Sequence, residues 1–163
     1  MMILRVARTE DLNTLISWIK DKEACKLWAG PVVRFPLTLE GLTQDIAFSA
    51  KNTFAMVNDV GELFGLGQLL EKGNDRIHMA RLIVSPPQRA KGFGELLCRL
   101  LIDAGTKRFG IVYFTLNVYS DNKTAVKLYQ KLGFIPKAGP PNSNTDENVI
   151  HMVLRSDRTT KLT

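Results

Sequence analysis

An apolar run ending at Val84 is followed, five residues later, by Arg89-Ala-Lys-Gly-Phe-Gly94 and then by the leucine-rich stretch ELLCRLL. Positive charge and two glycines therefore fall where a strand gives way to a helix. The first turn of a helix carries backbone N–H groups without intrahelical acceptors and the positive end of its dipole, and glycine lets an anion approach with no Cβ in the way. Arg89 and Lys91 add charge-assisted donors. Residues Arg89, Ala90, Lys91, Gly92, Phe93 and Gly94 thus form a candidate pyrophosphate cradle. A Walker A loop needs Gly-Lys-Ser/Thr after a four-residue gap, and a dinucleotide loop needs three glycines as GxGxxG; neither pattern is present. Nucleoside triphosphate and nicotinamide readings lose ground accordingly. The plainer alternative is that Gly92 and Gly94 only relieve crowding at a tight turn.

The elements that must hold this segment follow from periodicity. Residues 2–7 alternate as an edge strand, and Thr9 can cap a helix bearing Leu12, Leu15, Ile16 and Ile19. WAGPVVRFPL reads as a loop broken by Pro31 and Pro36, after which Thr38 opens a weaker helix reaching Ala50. Three strand-like runs, NTFAMVN, ELFGLGQLL and RIHMARLIVS, are joined by DVG and EKGND, so antiparallel hairpins are expected. From Ala90 the period becomes helical, with Leu96, Leu97, Leu100, Leu101 and Ala104 on one stripe ending near Gly105. IVYFTLNVY is a buried strand. Asp121 can cap the next helix, whose stripe holds Ala125, Leu128, Tyr129 and Leu132, with Gly133 at its end. The strand, helix, strand order from Arg76 to Tyr119 requires a right-handed crossover and a parallel pair. AGPPNSNTD then separates two short final strands, and the end of the chain reads as a fraying tail.

A chain of 163 residues, 45% apolar and 23% charged, suits one globular domain, expected over 1–155 with a tail at 156–163. No run reaches the ~20 apolar residues of a membrane helix, and Arg5 and Arg8 interrupt the start where a signal peptide needs its apolar stretch. A soluble, cytoplasmic protein is the expectation. Cys25 and Cys98 lack metal-type spacing, and Cys98 sits among leucines as an inert thiol would, so neither a disulfide nor a metal site is expected. The net charge of +6 favours anionic partners: a phosphorylated cosubstrate, an acidic substrate or nucleic acid.

Val84-Ser-Pro-Pro-Gln-Arg89-Ala-Lys-Gly92-Phe-Gly94 resembles the acetyl-CoA signature of the GNAT acyltransferase superfamily, and Asn122, Ala125, Leu128-Tyr129, Lys131 and Gly133-Phe134 resemble its second motif. The motifs cover about a third of the chain, and the element order is similar over 3–154. Ala90 departs from the pattern, since many members carry glycine there; it is tolerated if its φ is negative.

The resemblance implies a single mixed α/β domain. Its mostly antiparallel sheet has about six to seven strands, with a splayed parallel pair near 76–85 and 111–119, flanked by about four helices. It implies that the backbone of Leu82, Ile83 and Val84 pairs with the pantetheine arm of acetyl-CoA, that the amides of 89–94 hold the pyrophosphate, and that Asn122 hydrogen-bonds the arm. Asn122 could equally be a helix cap. Tyr129 resembles the family's general acid, since a phenol with a pKa near ~10 stays protonated at neutral pH; its other reading is core packing. The Val84 N–H is the natural oxyanion donor.

No glutamate lies on RIHMARLIV, so His78, sharing strand parity with Ala80, Leu82 and Val84, is the candidate base. Glu71, Asp75 and His151 could act through water. Trp18, Trp28, Arg34 and Phe35 fall where the acceptor amine would enter. The implied activity is acetyl-CoA-dependent N-acetyl transfer to a primary amine of a small molecule or peptide. The alternatives are a macromolecular acceptor (a protein N-terminus, a lysine or an aminoacyl-tRNA) and a non-catalytic acyl-CoA sensor. No membrane partner is implied, and the protein would be a monomer or homodimer.

Overall fold

The computed structural model describes residues 1–73, 75–110, 112–139 and 148–156. Among the described residues the elements run β1 (Ile3–Val6), α1 (Thr9–Ile16), α2 (Lys22–Ala29), α3 (Leu39–Asp45), β2 (Thr53–Val57), β3 (Leu63–Glu71) and β4 (Arg76–Val84). They continue as α4 (Phe93–Phe109), β5 (Val112–Tyr119), α5 (Lys123–Leu132), β6 (Ile135–Pro136) and β7 (Val149–Ser156). The strands hydrogen-bond in the order β1-β2-β3-β4-β5-β7-β6. β4 and β5 form the parallel pair, and β1–β2, β2–β3, β5–β7 and β6–β7 are antiparallel. This is the mixed α/β architecture that the periodicity predicts, with α4 as the crossover. The chain packs as two compact units, Met1–Leu69 with Ala80–Leu101, and Leu70–Met79 with Ile102–Thr163.

In the first unit, α1 to α3 bury Leu12, Leu15, Cys25 and Leu42, and Ile46 just after α3, against Ala55, Val57, Leu66 and Ile83 of the strands. The start of α1 is set by charge rather than by the expected Thr9 cap. Thr9 is the first helical residue, and Asp11 accepts from the Arg8 N–H at 2.7 Å and from both ends of the Arg5 guanidinium at 2.7 and 2.9 Å. α2 is the helix that the periodicity missed, making five α-helices among the described residues where about four were expected. Its start is capped by Asp21, whose Oδ1 accepts from the Ala24 N–H at 2.7 Å, yet Cys25 is its one fully buried residue. A two-turn helix with one buried position leaves almost no stripe to read. α3 is capped by Thr38, as expected, but stops at Asp45 rather than near Ala50.

Gly65 and Gly67 make room for α4. A Cβ at Gly67 would lie 2.6 Å from the Leu82 side chain and 2.8 Å from that of Leu101, and one at Gly65 would lie 3.3 Å from Leu97. The absent side chains are what let the leucine stripe of α4 seat on β3.

In the second unit, Phe114, Leu116 and Val118 are buried while Tyr113 and Asn117, on the other face of β5, are exposed. Gly105 does not end α4 as expected; the helix continues to Phe109. A Cβ at Gly105 would sit 2.8 Å from the Phe114 ring, so the glycine marks close packing rather than a stop. α5 is capped by Asn122 instead of Asp121 and ends, as expected, at Gly133 with φ +103°. Of the tail expected at 156–163, Ser156 instead ends β7, and 157–163 lie outside the described residues, as does most of AGPPNSNTD, residues 140–146.

Candidate functional site

The segment between β4 and α4 has the backbone shape that an anion cradle requires. After a single 3₁₀ turn at Pro86–Gln88, Arg89 is extended, Ala90 turns to φ +61° and Gly92 to φ +87°. The first bond into α4 runs from the Leu96 N–H to the Gly92 carbonyl, so the amides of Phe93, Gly94 and Glu95 precede the helical ladder. Nothing lies within 4 Å of where a Gly92 Cβ would be, and residues 89–92 are exposed. Phe93 fixes the helix start by packing edge-on against Phe64, with ring centroids 5.0 Å apart. The sequence condition on Ala90 fails: its φ is positive, so an L-residue occupies a left-handed position that favours glycine.

Among the three strand residues expected to offer backbone to the cosubstrate, direction separates one. The Ser85 N–H donates to Phe64 O at 2.8 Å, and the Ile83 carbonyl lies against Gly65. Ile83 therefore turns its backbone toward β3, and the opposite edge is offered by Leu82 and Val84. Val84 O already accepts from Arg89 Nε at 3.1 Å, so Arg89 braces the loop against the strand end instead of pointing only at a phosphate.

β4 is not a regular strand. Ile77 faces α4 at Gly105, and Leu82, an odd number of residues later, faces the same helix at Leu101. Strict alternation would put them on opposite faces. Arg81, with φ +53°, supplies the extra residue of a bulge. This corrects the expected parity, since the alternation that would align His78 with Leu82 and Val84 is interrupted. Arg81 itself is held by Gln68, its Nη1 donating to Oε1 at 2.6 Å. Neither residue was singled out from the sequence, although an arginine inside the apolar run MARLIV was a visible signal.

In the second unit His78 Nδ1 lies 2.8 Å from Thr115 Oγ1. Tyr129 is half-buried and packs edge-on against Phe134 at 5.9 Å. The Asn122 side-chain oxygen caps α5, accepting from the Ala125 N–H at 3.3 Å, and its amide N–H₂ is available to a ligand acceptor. His151 Nδ1 is 2.7 Å from Asn117 Oδ1, and burial first, then the charge of Arg76, lowers its pKa below the usual imidazole value. Glu71 lies 3.8 Å from Arg108.

Of the residues expected near the acceptor, Trp18 and Trp28 pack against the first unit's core. Arg34 pairs with Asp45, and Phe35 is on the surface. Both thiols are buried and free, and burial pushes Cys25 up and Cys98 up to about 12. Among the described residues no group of three or more histidine, cysteine or acidic side chains could hold a metal, and no helix is long and apolar enough to cross a membrane.

The fold is similar to that of the spermidine N-acetyltransferase from Vibrio cholerae, solved in complex with CoA and spermine. The TM-score is 0.73, with 19% identity over 94% of this chain and 95% of that one. It is also similar to the ribosomal-protein-S18-alanine N-acetyltransferase from Escherichia coli, with a TM-score of 0.66 and 20% identity over 99% of each chain. Identities this low speak for the fold alone. The sequence supplies the rest, because a family profile described as the acetyltransferase (GNAT) family matches residues 15–134, most of the chain. With that match over most of its length, the chain belongs to the GNAT acetyltransferase family.

Proposed function

We propose that the protein is a cytoplasmic, acetyl-CoA-dependent N-acetyltransferase that acylates a primary amine of a small molecule or peptide by direct attack. The observation that carries this reading is the pair of left-handed residues, Ala90 and Gly92, leading into the N-terminus of α4, with nothing within 4 Å of where a Gly92 Cβ would stand. Amides turned outward there bind pyrophosphate oxygens, and Lys91 adds charge.

In the reaction the amine nitrogen forms a bond to the acetyl carbon and the carbon–sulfur bond breaks. The outward backbone edge of Leu82 and Val84 orients the pantetheine amides, and the Val84 N–H polarises the thioester carbonyl. The proton lost by the amine passes to His78, directly or through water, and Tyr129 gives its phenolic proton to the departing thiolate. Asn122 supports the arm through its amide N–H₂. Arg89 holds the loop to the strand end through Nε, which leaves its other N–H groups as donors for a phosphate.

The test is calorimetric titration of acetyl-CoA, with CoA and ATP as controls, alongside thiol release against a mixed panel of amines. Acetyl-CoA and CoA should bind where ATP does not, and thiol release should depend on an amine. Absence of binding would remove this reading. The charge of +6 favours a second reading, in which the acceptor is macromolecular, a protein N-terminus, a lysine or an aminoacyl-tRNA. An RNA-borne acceptor requires binding that weakens steeply from low to physiological salt. Binding without turnover against any of these acceptors would leave an acyl-CoA sensor.

A further inference from the structure

Among the described residues two side-chain donors are buried without a hydrogen-bond partner, Trp28 Nε1 and Arg81 Nε, and both belong to the first unit. No buried side-chain acceptor is in the same condition among those residues. Any group that completes either donor must therefore accept hydrogen bonds.

Arg81 is the more demanding of the two. Gln68 is fixed by its own donations to Ile46 O at 2.9 Å and Thr53 Oγ1 at 3.0 Å, which leaves its oxygen for Arg81. A guanidinium has five N–H donors, and one neutral oxygen does not balance its charge. Arg81 forms no ion pair among the described residues. It feels the charge of Asp45, but that carboxylate accepts the Arg34 backbone N–H at 3.0 Å and the Arg34 Nε at 3.1 and 3.0 Å.

Two guanidiniums thus share one carboxylate. Burial pulls Arg81 below the ordinary arginine value, with Asp45 acting against that pull. A cation held this way is costly unless an anion completes it. Trp28 packs against the same buried cluster, which includes Cys25, Ile46 and Ile83, and Ile46 also receives the Gln68 bond. Leu82 and Val84 follow Arg81 directly on the strand.

We propose that Arg81, with Trp28 as a second donor, anchors the carboxylate of the acceptor, so that the enzyme acetylates an amine carried on an amino acid or a peptide-like acid. A polycation meets the wrong sign of charge here. The inference rests on the N-acetyltransferase reading above and narrows its acceptor.

The experiment compares thiol release at saturating acetyl-CoA for alanine, phenylalanine and glycylglycine against their primary amides, with spermidine and O-phosphoethanolamine as further arms. N-acetylalanine and its amide are titrated in parallel into the CoA-bound protein. The acids should exceed the amides by about ten- to a hundredfold in kcat/KM, carried by KM, and in affinity. Arg81→Gln should bring the ratio close to one, Arg81→Lys should restore part of it, and Trp28→Phe should weaken acid binding severalfold, with CoA affinity unchanged in all three.

Equal use of acids and amides, preference for spermidine or the phosphorylated amine, or a preference that survives Arg81→Gln would overturn the carboxylate anchor. So would failure of the N-acetyl acid to bind better than its amide. Failure of the wild-type protein to bind acetyl-CoA would instead overturn the transferase reading beneath it.

Discussion

The Thr115 hydroxyl lies 2.8 Å from Nδ1 of His78, bridging neighbouring positions of the parallel pair formed by β4 and β5. The contact orients the imidazole through one ring nitrogen, and orientation of this kind is what a partner of a catalytic histidine supplies. If His78 takes the amine proton, His78→Gln should lower kcat/KM by about 10²–10⁴-fold and remove the ascending limb of the pH–rate profile. Thr115→Val should keep that limb and cost about tenfold or less. An unchanged profile in His78→Gln would strike the residue from the mechanism.

Tyr129→Phe isolates the proposed acid, because the ring contact with Phe134 is preserved and only the hydroxyl is lost. The expected outcome is a fall in kcat of about 10–10⁴-fold with acetyl-CoA affinity retained, measured by thiol release and calorimetry. Wild-type turnover would reduce Tyr129 to packing.

The two left-handed positions of the cradle should respond with opposite sign. Ala90→Gly relieves a residue held at φ +61° and should stabilise the fold by about 0.5–1 kcal/mol after the entropy of glycine is counted, raising Tm by about 1–3 °C. Gly92→Ala places a Cβ at φ +87°, where space is open but the backbone is not suited to it, and should destabilise by about 1 kcal/mol. Gly92→Asp adds a negative charge to that strain. It should weaken CoA binding by more than tenfold beyond the alanine variant, and normal binding there would move the cradle elsewhere.

Acid should loosen the first unit through Asp11. Burial pushes its pKa up, but the bonds from Arg5 and the Arg8 N–H and the charge of Arg5 outweigh that effect, leaving it below the usual carboxylate range. A group with a depressed folded pKa stabilises above its unfolded value of about 3.9 and loses that contribution as pH falls through the folded value. Thermal melts should show a component lost below about pH 4. Asp11→Asn should remove that component and cost about 1 kcal/mol at neutral pH, the pair being partly screened.

The parallel pair and α5 were legible because a strand-to-helix change of period and an apolar stripe closed by a glycine leave local marks. Three features were not. α2 buries only Cys25 fully, so its periodicity is nearly silent. Gly105 has the composition of a helix stop, and only the Phe114 ring pressed against it shows why the helix continues. The bulge at Arg81 inserts one residue into β4, and parity arguments carried across it assign side chains to the wrong face. The positive φ of Ala90 belongs with these, because nothing in the residue type announces it.

Burial of both cysteines has a practical corollary for anyone working with the enzyme. A thiolate, not a thiol, attacks an aromatic disulfide reagent. Cys98, held near 12 in its apolar surroundings, and Cys25, covered by the helices of the first unit, present almost none. The native protein should therefore react slowly with such a colour reagent, which a titration of the protein alone would check. In a continuous assay of the proposed reaction, the dye released should then count the coenzyme A set free.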